Sequence, residues 1–211
     1  MDARPDLASF VDAYERGRPQ VVAASLVTDL ETPVSAMLKL AEGRPYSFLL
    51  ESVTGGAVRG RYSMLGLKPD LVWRCRGHKA EINRQARSDL ERFEPCPEPA
   101  LESLRRLIRA SRIELPPGLP PMAAGIFGHM AYDMVRLVER LPEENPDPLG
   151  LPDAVFLRPT LMAIFDTIED RVTIVTPVWP SEGVAALDAY ALARERLADA
   201  IADFNRAVPH V

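Results

Sequence analysis

Tyr46-Ser47-Phe48-Leu49-Leu50-Glu51-Ser52 is the stretch on which the reading of this chain turns. An apolar run of strand length ends abruptly in a carboxylate and a hydroxyl. Val53-Thr54-Gly55-Gly56-Ala57-Val58-Arg59-Gly60-Arg61 follows, leading to a second strand-like segment, Tyr62-Ser63-Met64-Leu65-Gly66-Leu67. The Gly55-Gly56 pair permits positive φ angles, so the chain can turn back and lay the second segment beside the first. The connection is too long for a tight hairpin. Polar side chains at a strand end suit ligand contacts, because the strand holds them fixed while the adjoining loop adapts.

Toward the amino terminus, Leu7, Phe10, Val11 and Tyr14 recur at helical spacing, and Gly17 stands where a left-handed cap would end the helix. Val21 to Val27 reads as a strand. Thr32-Pro33 supplies an N-cap and a first-turn proline for a helix expected to turn Val34, Met37, Leu38 and Ala41 inward, ending at Gly43.

Toward the carboxyl terminus, Leu71 to Arg76 and Lys79 to Arg84 flank Gly77-His78 and predict an antiparallel pair. Residues 85 to 99 read as a surface connection. Leu101, Leu104, Leu107 and Ile108 define a helix with Arg105, Arg106, Arg109 and Arg112 on a basic face, which suits either a solvated surface or an anion or subunit contact. Pro116 to Pro121 marks a stiff, irregular connection. Ala123 to Phe127 predicts a buried strand, and Tyr132-Asp133 opens a helix carrying Met134, Leu137, Val138 and Leu141. The proline-rich Pro142 to Pro152 reads as an exposed loop. Thr160 to Ile168 and Val172 to Val178 form a hairpin around Glu169-Asp170-Arg171. A last helix from about Ser181 carries the stripe Leu197, Ile201, Phe204 and Val208. The fold class that follows is α+β, a mainly antiparallel sheet of seven or eight strands flanked by helices.

At 211 residues and 47% apolar content the chain can bury a substantial core. A formal charge of −5, with acids and bases interspersed, offers no basic stripe for nucleic acid and no polybasic segment for a membrane surface. No apolar run approaches the ~18 residues of a membrane span, and Asp2, Asp6 and Asp12 interrupt the first segment, so the expected location is cytoplasmic. Cys75 and Cys96 lack CxxC spacing and read as reduced thiols; His78, His129 and His210 form no ligand pair. No nucleophile elbow, Walker loop or dinucleotide fingerprint occurs, so neither a catalytic residue nor a metal site is assigned. Gly125-x-x-Gly128 is read as tight strand packing.

Leu49-Leu50-Glu51-Ser52 with Ser63 after ten intervening residues resembles the LLES-x10-S signature of anthranilate synthase component I in its amino-terminal region. Gly60-Arg61-Tyr62-Ser63-Met64-Leu65-Gly66, Asp70-Leu71-Val72-Trp73-Arg74 and Gly125-Ile126-Phe127-Gly128-His129-Met130-Ala131-Tyr132-Asp133 resemble segments of the same family, so the likeness spans nearly the whole chain. It implies that residues 1–211 are the amino-terminal, regulatory part of a longer lyase subunit that makes anthranilate from chorismate in tryptophan biosynthesis. The chorismate-binding catalytic domain and its Mg²⁺ would then lie outside this chain, which needs no cofactor of its own and is expected to be inactive alone.

The resemblance further implies that Leu50, Glu51, Ser52 and Ser63 bind L-tryptophan as an allosteric feedback inhibitor. The family's proline-aromatic-methionine segment would complete the pocket from the catalytic domain. A glutamine amidotransferase subunit is the implied protein partner. The chemistry suits an amino acid: a carboxylate such as Glu51 for the ammonium, donors such as Ser52 for the carboxylate, an apolar wall for the indole. The residues alone equally suit a structural role, with Glu51 paired to Arg59 or Arg61 and Ser52 capping a turn. Two other assignments fit the chain: the corresponding region of aminodeoxychorismate synthase component I, and a scaffold domain that docks the amidotransferase.

Overall fold

The structure, a computed structural model, describes residues 3–28, 31–53, 59–142 and 146–208, with Val53 and Arg59 described by backbone alone. The chain divides into two compact units. The first comprises Met1–Lys68, Ile113–Ala124 and Pro159–Val211, and the second Pro69–Arg112 and Gly125–Arg158.

The first unit is built on five antiparallel strands: β1 (Gln20–Val27), β2 (Phe48–Val53), β3 (Arg59–Leu67), β9 (Leu161–Asp166) and β10 (Arg171–Val178). Their order is β1-β10-β9-β3-β2, so β2 is an edge strand. The expected hairpin is the β9-β10 pair, in which Asp166 faces Arg171. One face of the sheet carries Val22, Ala24, Leu65, Leu67, Ala163, Phe165, Val172 and Ile174. These pack with three helices, α1 (Leu7–Glu15), α2 (Pro33–Ala41) and α4 (Ala186–Phe204), into one buried cluster.

The helix ends follow their sequence signals. Asp6 accepts from the Ser9 amide at 3.0 Å to cap α1, and Gly17 takes φ +70° just past its end. Thr32 and Ser35 form a reciprocal capping box, with Pro33 opening α2. The inward face of α2 differs from expectation. Ala36, Leu40 and Ala41 are buried and Met37 packs against the core, whereas Val34 and Leu38 are exposed. Helix α2 is rotated so that Lys39, not Leu38, enters the unit. Its ammonium donates to a Glu31 carboxylate oxygen and, at 3.0 Å, to the carbonyl of Phe204 at the end of α4. Helix α4 stops at Phe204, so Val208, the last residue of the expected stripe, lies beyond the helix and is exposed.

The second unit holds another five-stranded antiparallel sheet, ordered β6-β5-β4-β8-β7. Its strands are β4 (Leu71–Arg76), β5 (Lys79–Asn83), β6 (Glu94–Pro95), β7 (Phe127–Met130) and β8 (Ala154–Arg158). Helix α3 (Ala100–Ala110) lays Ala100, Leu104 and Leu107 into a core shared with Leu71, Trp73, Cys75, Ile82 and Met134. Trp73 is fully buried, and its indole N–H donates to Ser103 Oγ at 2.8 Å.

Three expectations are corrected here. The strand predicted over 123–127 begins only at Phe127 and runs to Met130 as a largely exposed edge, although Ala123 is buried. The helix expected after Tyr132 is a single 3-10 segment, Tyr132–Leu137, with Met134 buried and Val138 and Leu141 exposed. Strand β8 was not expected. Nor was β6, which falls in the segment read as a surface connection, so among the described residues ten strands in two sheets replace the seven or eight expected in one, within the same α+β class.

Candidate functional site

The LLES residues occupy β2, and the register places Glu51 opposite Ser63 and Leu50 opposite Met64. Side chains alternate along a strand, so this pairing separates the four candidates. Glu51 and Ser63 share the helix-bearing face, in a cross-sheet row that continues through Phe165, Val172 and Leu26. Leu50 lies on the opposite face, in the row of Met64 and Ile164, on the side where the ring of Phe48 covers Gly66.

The register breaks between Glu51 and Val53: Glu51 faces Ser63, while Val53 faces Arg59. Gly60, Arg61 and Tyr62 thus bulge against the single residue Ser52. Gly60 accommodates this because a Cβ there would stand 2.1 Å from Ser52 Oγ. The glycine leaves the space in which the serine hydroxyl sits. The Gly55-Gly56 turn expected from sequence falls outside the described residues.

Burial grades the candidates. Ser63 is buried, while Glu51 and Ser52 are exposed and Leu50 is half exposed. In the same row as Ser63, Phe165 stacks on Phe204 of α4 with ring centroids 6.1 Å apart. The edge therefore presents the open Glu51 carboxylate on the helix-bearing face, where Phe165 and Phe204 pack, and the Ser52 hydroxyl at the bulge beside Gly60.

Of the two arginines considered as partners for Glu51, Arg61 is engaged elsewhere, and the Arg59 side chain lies outside the described residues. Arg61 is bound bidentately to Asp166, Nε to Oδ1 at 3.0 Å and Nη2 to Oδ2 at 2.7 Å, and its guanidinium lies 4.9 Å from the Tyr62 ring centroid. The Arg61 hydrogen bonds hold the Asp166 carboxyl below the usual carboxylate range, helped by the amides of Ile168 and Glu169. Asp166 in turn raises the Arg61 guanidinium. Among the described residues Glu51 has neither an ion-pair partner nor a hydrogen-bonded side-chain partner; the turn that Ser52 was expected to cap lies outside the described residues. Asp166 and Phe165 were not singled out from sequence, because both meet the motif through β3-β9 pairing across about a hundred residues of chain, where no local pattern reaches.

Two surface depressions of the first unit lie elsewhere, one lined by Leu7, Leu187, Tyr190 and Arg194, the other by Tyr14, Pro180 and Ser181. Neither contains a residue of the LLES edge. Among the described residues no three His, Cys, Asp or Glu side chains are grouped to hold a metal ion, and no helix is long and apolar enough to cross a membrane. Cys75 and Cys96 are free thiols. Burial, with Asp153 nearby, pushes the Cys75 thiol up to about 11.

The likeness read from the motif extends through the chain. It is 56% identical over 201 residues to anthranilate synthase component 1 of Cereibacter sphaeroides, a match covering 95% of this chain and 40% of that protein. With the protein of the same name from Thermus thermophilus it shares 40% identity over 163 residues, covering 77% of this chain and 33% of that one. No family model matches. The fold is that of anthranilate synthase component I from Streptococcus pneumoniae, with a TM-score of 0.58 at 18% identity, covering 87% of this chain and 37% of that structure. By sequence over nearly its whole length, and by fold, the chain therefore corresponds to part of anthranilate synthase component I, spanning about two-fifths of the length of its Cereibacter relative.

Proposed function

We propose that this chain is the amino-terminal regulatory region of an anthranilate synthase component I, and that its LLES edge binds L-tryptophan as a feedback inhibitor. The observation that carries the reading is the exposed Glu51 carboxylate, unclaimed by Arg61 and set by register directly opposite Ser63 on an edge strand. An α-ammonium would pair with Glu51, an α-carboxylate would accept from the hydroxyls of Ser52 and Ser63, and Leu50 would contribute apolar surface from the other face of β2. A charge-assisted bond of this kind is worth about 1.5–3 kcal/mol once water is excluded.

In this reading the whole enzyme takes chorismate to anthranilate in the cytoplasm. Its catalytic domain, with Mg²⁺, lies in the part of the relatives that this chain does not span, and a glutamine amidotransferase subunit supplies ammonia. The name component 1 borne by the relatives supports an assembly with at least one further component. A ligand held between the LLES edge and the catalytic domain would inhibit by favouring an arrangement that binds chorismate less well.

Calorimetric titration of the chain with L-tryptophan, with L-phenylalanine as control, tests the site. Selective heat that disappears in both Glu51→Gln and Ser52→Phe is the expected result. Equal heat in wild type and both variants would overturn it. In an enzyme joined to its catalytic domain, Ser52→Phe should abolish inhibition by tryptophan and leave the uninhibited rate unchanged.

A further inference from the structure

Arg61 stands at the diagonal position to Glu51. It belongs to the bulge opposite Ser52 and lies two residues along β3 from Ser63, the residue that faces Glu51. Diagonal neighbours in an antiparallel pair are about 7–8 Å apart, within reach of a side chain as long as arginine. Opposite charges so placed at an open sheet edge attract one another. Instead the guanidinium goes to Asp166 and lies over the ring of Tyr62. Tyr62 and Asp166 pair across β3 and β9 next to the Ser63-Phe165 pair, and therefore alternate onto the face opposite Glu51.

Asp166 is well placed to hold that arginine. Its Oδ1 accepts from the amides of Ile168 at 3.0 Å and Glu169 at 3.4 Å, which fixes the carboxylate independently of the arginine. Only 13% of the Asp166 side chain is open to water, against 45% of the Arg61 side chain. Nε of Arg61 reaches both oxygens and Nη2 reaches Oδ2, a planar fork set against a planar carboxylate. The charge of Glu169 also acts on Arg61, but among the described residues Glu169 makes no ion pair with it. An arginine neutralised in this way leaves the Glu51 carboxylate uncompensated at the sheet edge, and an uncompensated, exposed carboxylate is what a ligand ammonium requires.

We propose that Asp166 is a positioning residue for the LLES edge: by holding Arg61 toward the opposite face of the sheet, it keeps Glu51 open to the ammonium group of a ligand. The identity of that ligand as L-tryptophan rests on the proposed function; the guarding of Glu51 rests on the strand register and the Arg61-Asp166 pair alone. Asp166 touches no ligand and acts only through Arg61. Released from Asp166, Arg61 pairs with Glu51 and competes with the ammonium for it. Removing an acid from the protein then weakens the binding of a cationic group, because it frees a cation of the protein itself.

The test compares wild-type chain with Asp166→Asn, Arg61→Gln and the double variant Asp166→Asn/Arg61→Gln, by calorimetric titration with L-tryptophan and by a crystal structure of ligand-free Asp166→Asn. Circular dichroism checks that each variant is folded, and Arg59 is the same in all of them. The expected result is an affinity lower by about tenfold or more in Asp166→Asn, but within about threefold of wild type in Arg61→Gln and in the double variant. The crystal structure should show Arg61 on Glu51. Recovery in the double variant separates guarding from stability, because the damage done by losing the Arg61-Asp166 pair would persist with both partners gone. An affinity as low in the double variant as in Asp166→Asn overturns the proposal. A loss of that size in Arg61→Gln, a measurement that needs no Asp166 variant, overturns it too, as does a crystal structure with Arg61 turned to Glu169 or to water. No heat from tryptophan in the wild type would count against tryptophan as the ligand, while Arg61 on Glu51 in the crystal would still support the guarding of Glu51.

Discussion

A methyl group added at Gly128 would stand 1.9 Å from the carbonyl oxygen of Val155 and 2.8 Å from Cα of Phe156, both backbone atoms of β8. Neither can yield without moving the strand, so Gly128→Ala should destabilise the protein by about 1–3 kcal/mol through overpacking. Gly66→Ala meets instead the ring of Phe48, the far end of a side chain that can swing aside, and should cost less. Denaturant midpoints of the two variants give the ordering, and equal losses would refute it. The glycines also show what sequence conveys at this scale. Gly125-x-x-Gly128 signals a close approach or an unusual backbone angle without saying which; Gly128 supplies the approach, and Gly125 the angle, φ +141°. Of the candidate site, Glu51 and Ser63 were legible as neighbours because the motif spans a turn back between two strands. Their separation from Leu50 follows from strand alternation. The capture of Arg61 by Asp166 was not legible, since it depends on which distant strand pairs with β3.

At the scale of elements, capping signals read truly because they are local chemistry, as Thr32-Pro33 and Gly17 show. Hydrophobicity alone does not identify the inward face of α2, because a charged residue takes part in it. The lysine that enters is compensated by Glu31 and by the Phe204 carbonyl, partners eight and 165 residues away. Strand β8 was missed because Pro152 and Pro159 bracket its five residues, and its apolar run lacks the alternation that marks a half-buried strand. Lys39→Met should loosen the end of α4. It strips the donor from the Phe204 carbonyl and leaves Glu31 without its cation, a loss of about 1–3 kcal/mol, moderated because Glu31 keeps access to water. Burial alone would raise the Glu31 carboxyl, yet the Lys39 and Ser35 hydrogen bonds and the Lys39 charge bring it below its ordinary value.

Asp166 joins β9 to β3 through Arg61 and is likewise held low, chiefly by the Arg61 hydrogen bonds. For a depressed carboxylate, the stabilisation is complete above the unfolded-state value of roughly 4 and is lost as pH falls through the lower folded-state value. Asp166→Asn should therefore be less stable than wild type at pH about 7. The gap should close steadily on acidification below pH about 4. Urea midpoints measured across that range check it, and a gap independent of pH would show that the Arg61 pairing contributes nothing through ionisation.

For the whole molecule, the sequence supported the α+β class and antiparallel pairing but not the division into two units. Each unit is assembled from separate stretches of chain, so no single linker marks a boundary, and the proline-rich 116–121 segment belongs with the first unit. The physical sign of the division is in the cores: one cluster gathers α1, α2 and α4 on β1, β3, β9 and β10, and another gathers α3 with β4 and β5. Clusters without a shared buried residue can open at different free energies. Leu104→Ala removes a buried side chain from the second cluster alone and should cost about 2–5 kcal/mol there. Native-state hydrogen exchange would then accelerate at the amides of β4, β5 and α3, with those of β1, β9 and β10 keeping wild-type protection at low denaturant. Acceleration of both groups by the same factor would mean that the two cores unfold as one cooperative body, and a ligand ordering the β2 edge would then stabilise α3 to the same extent.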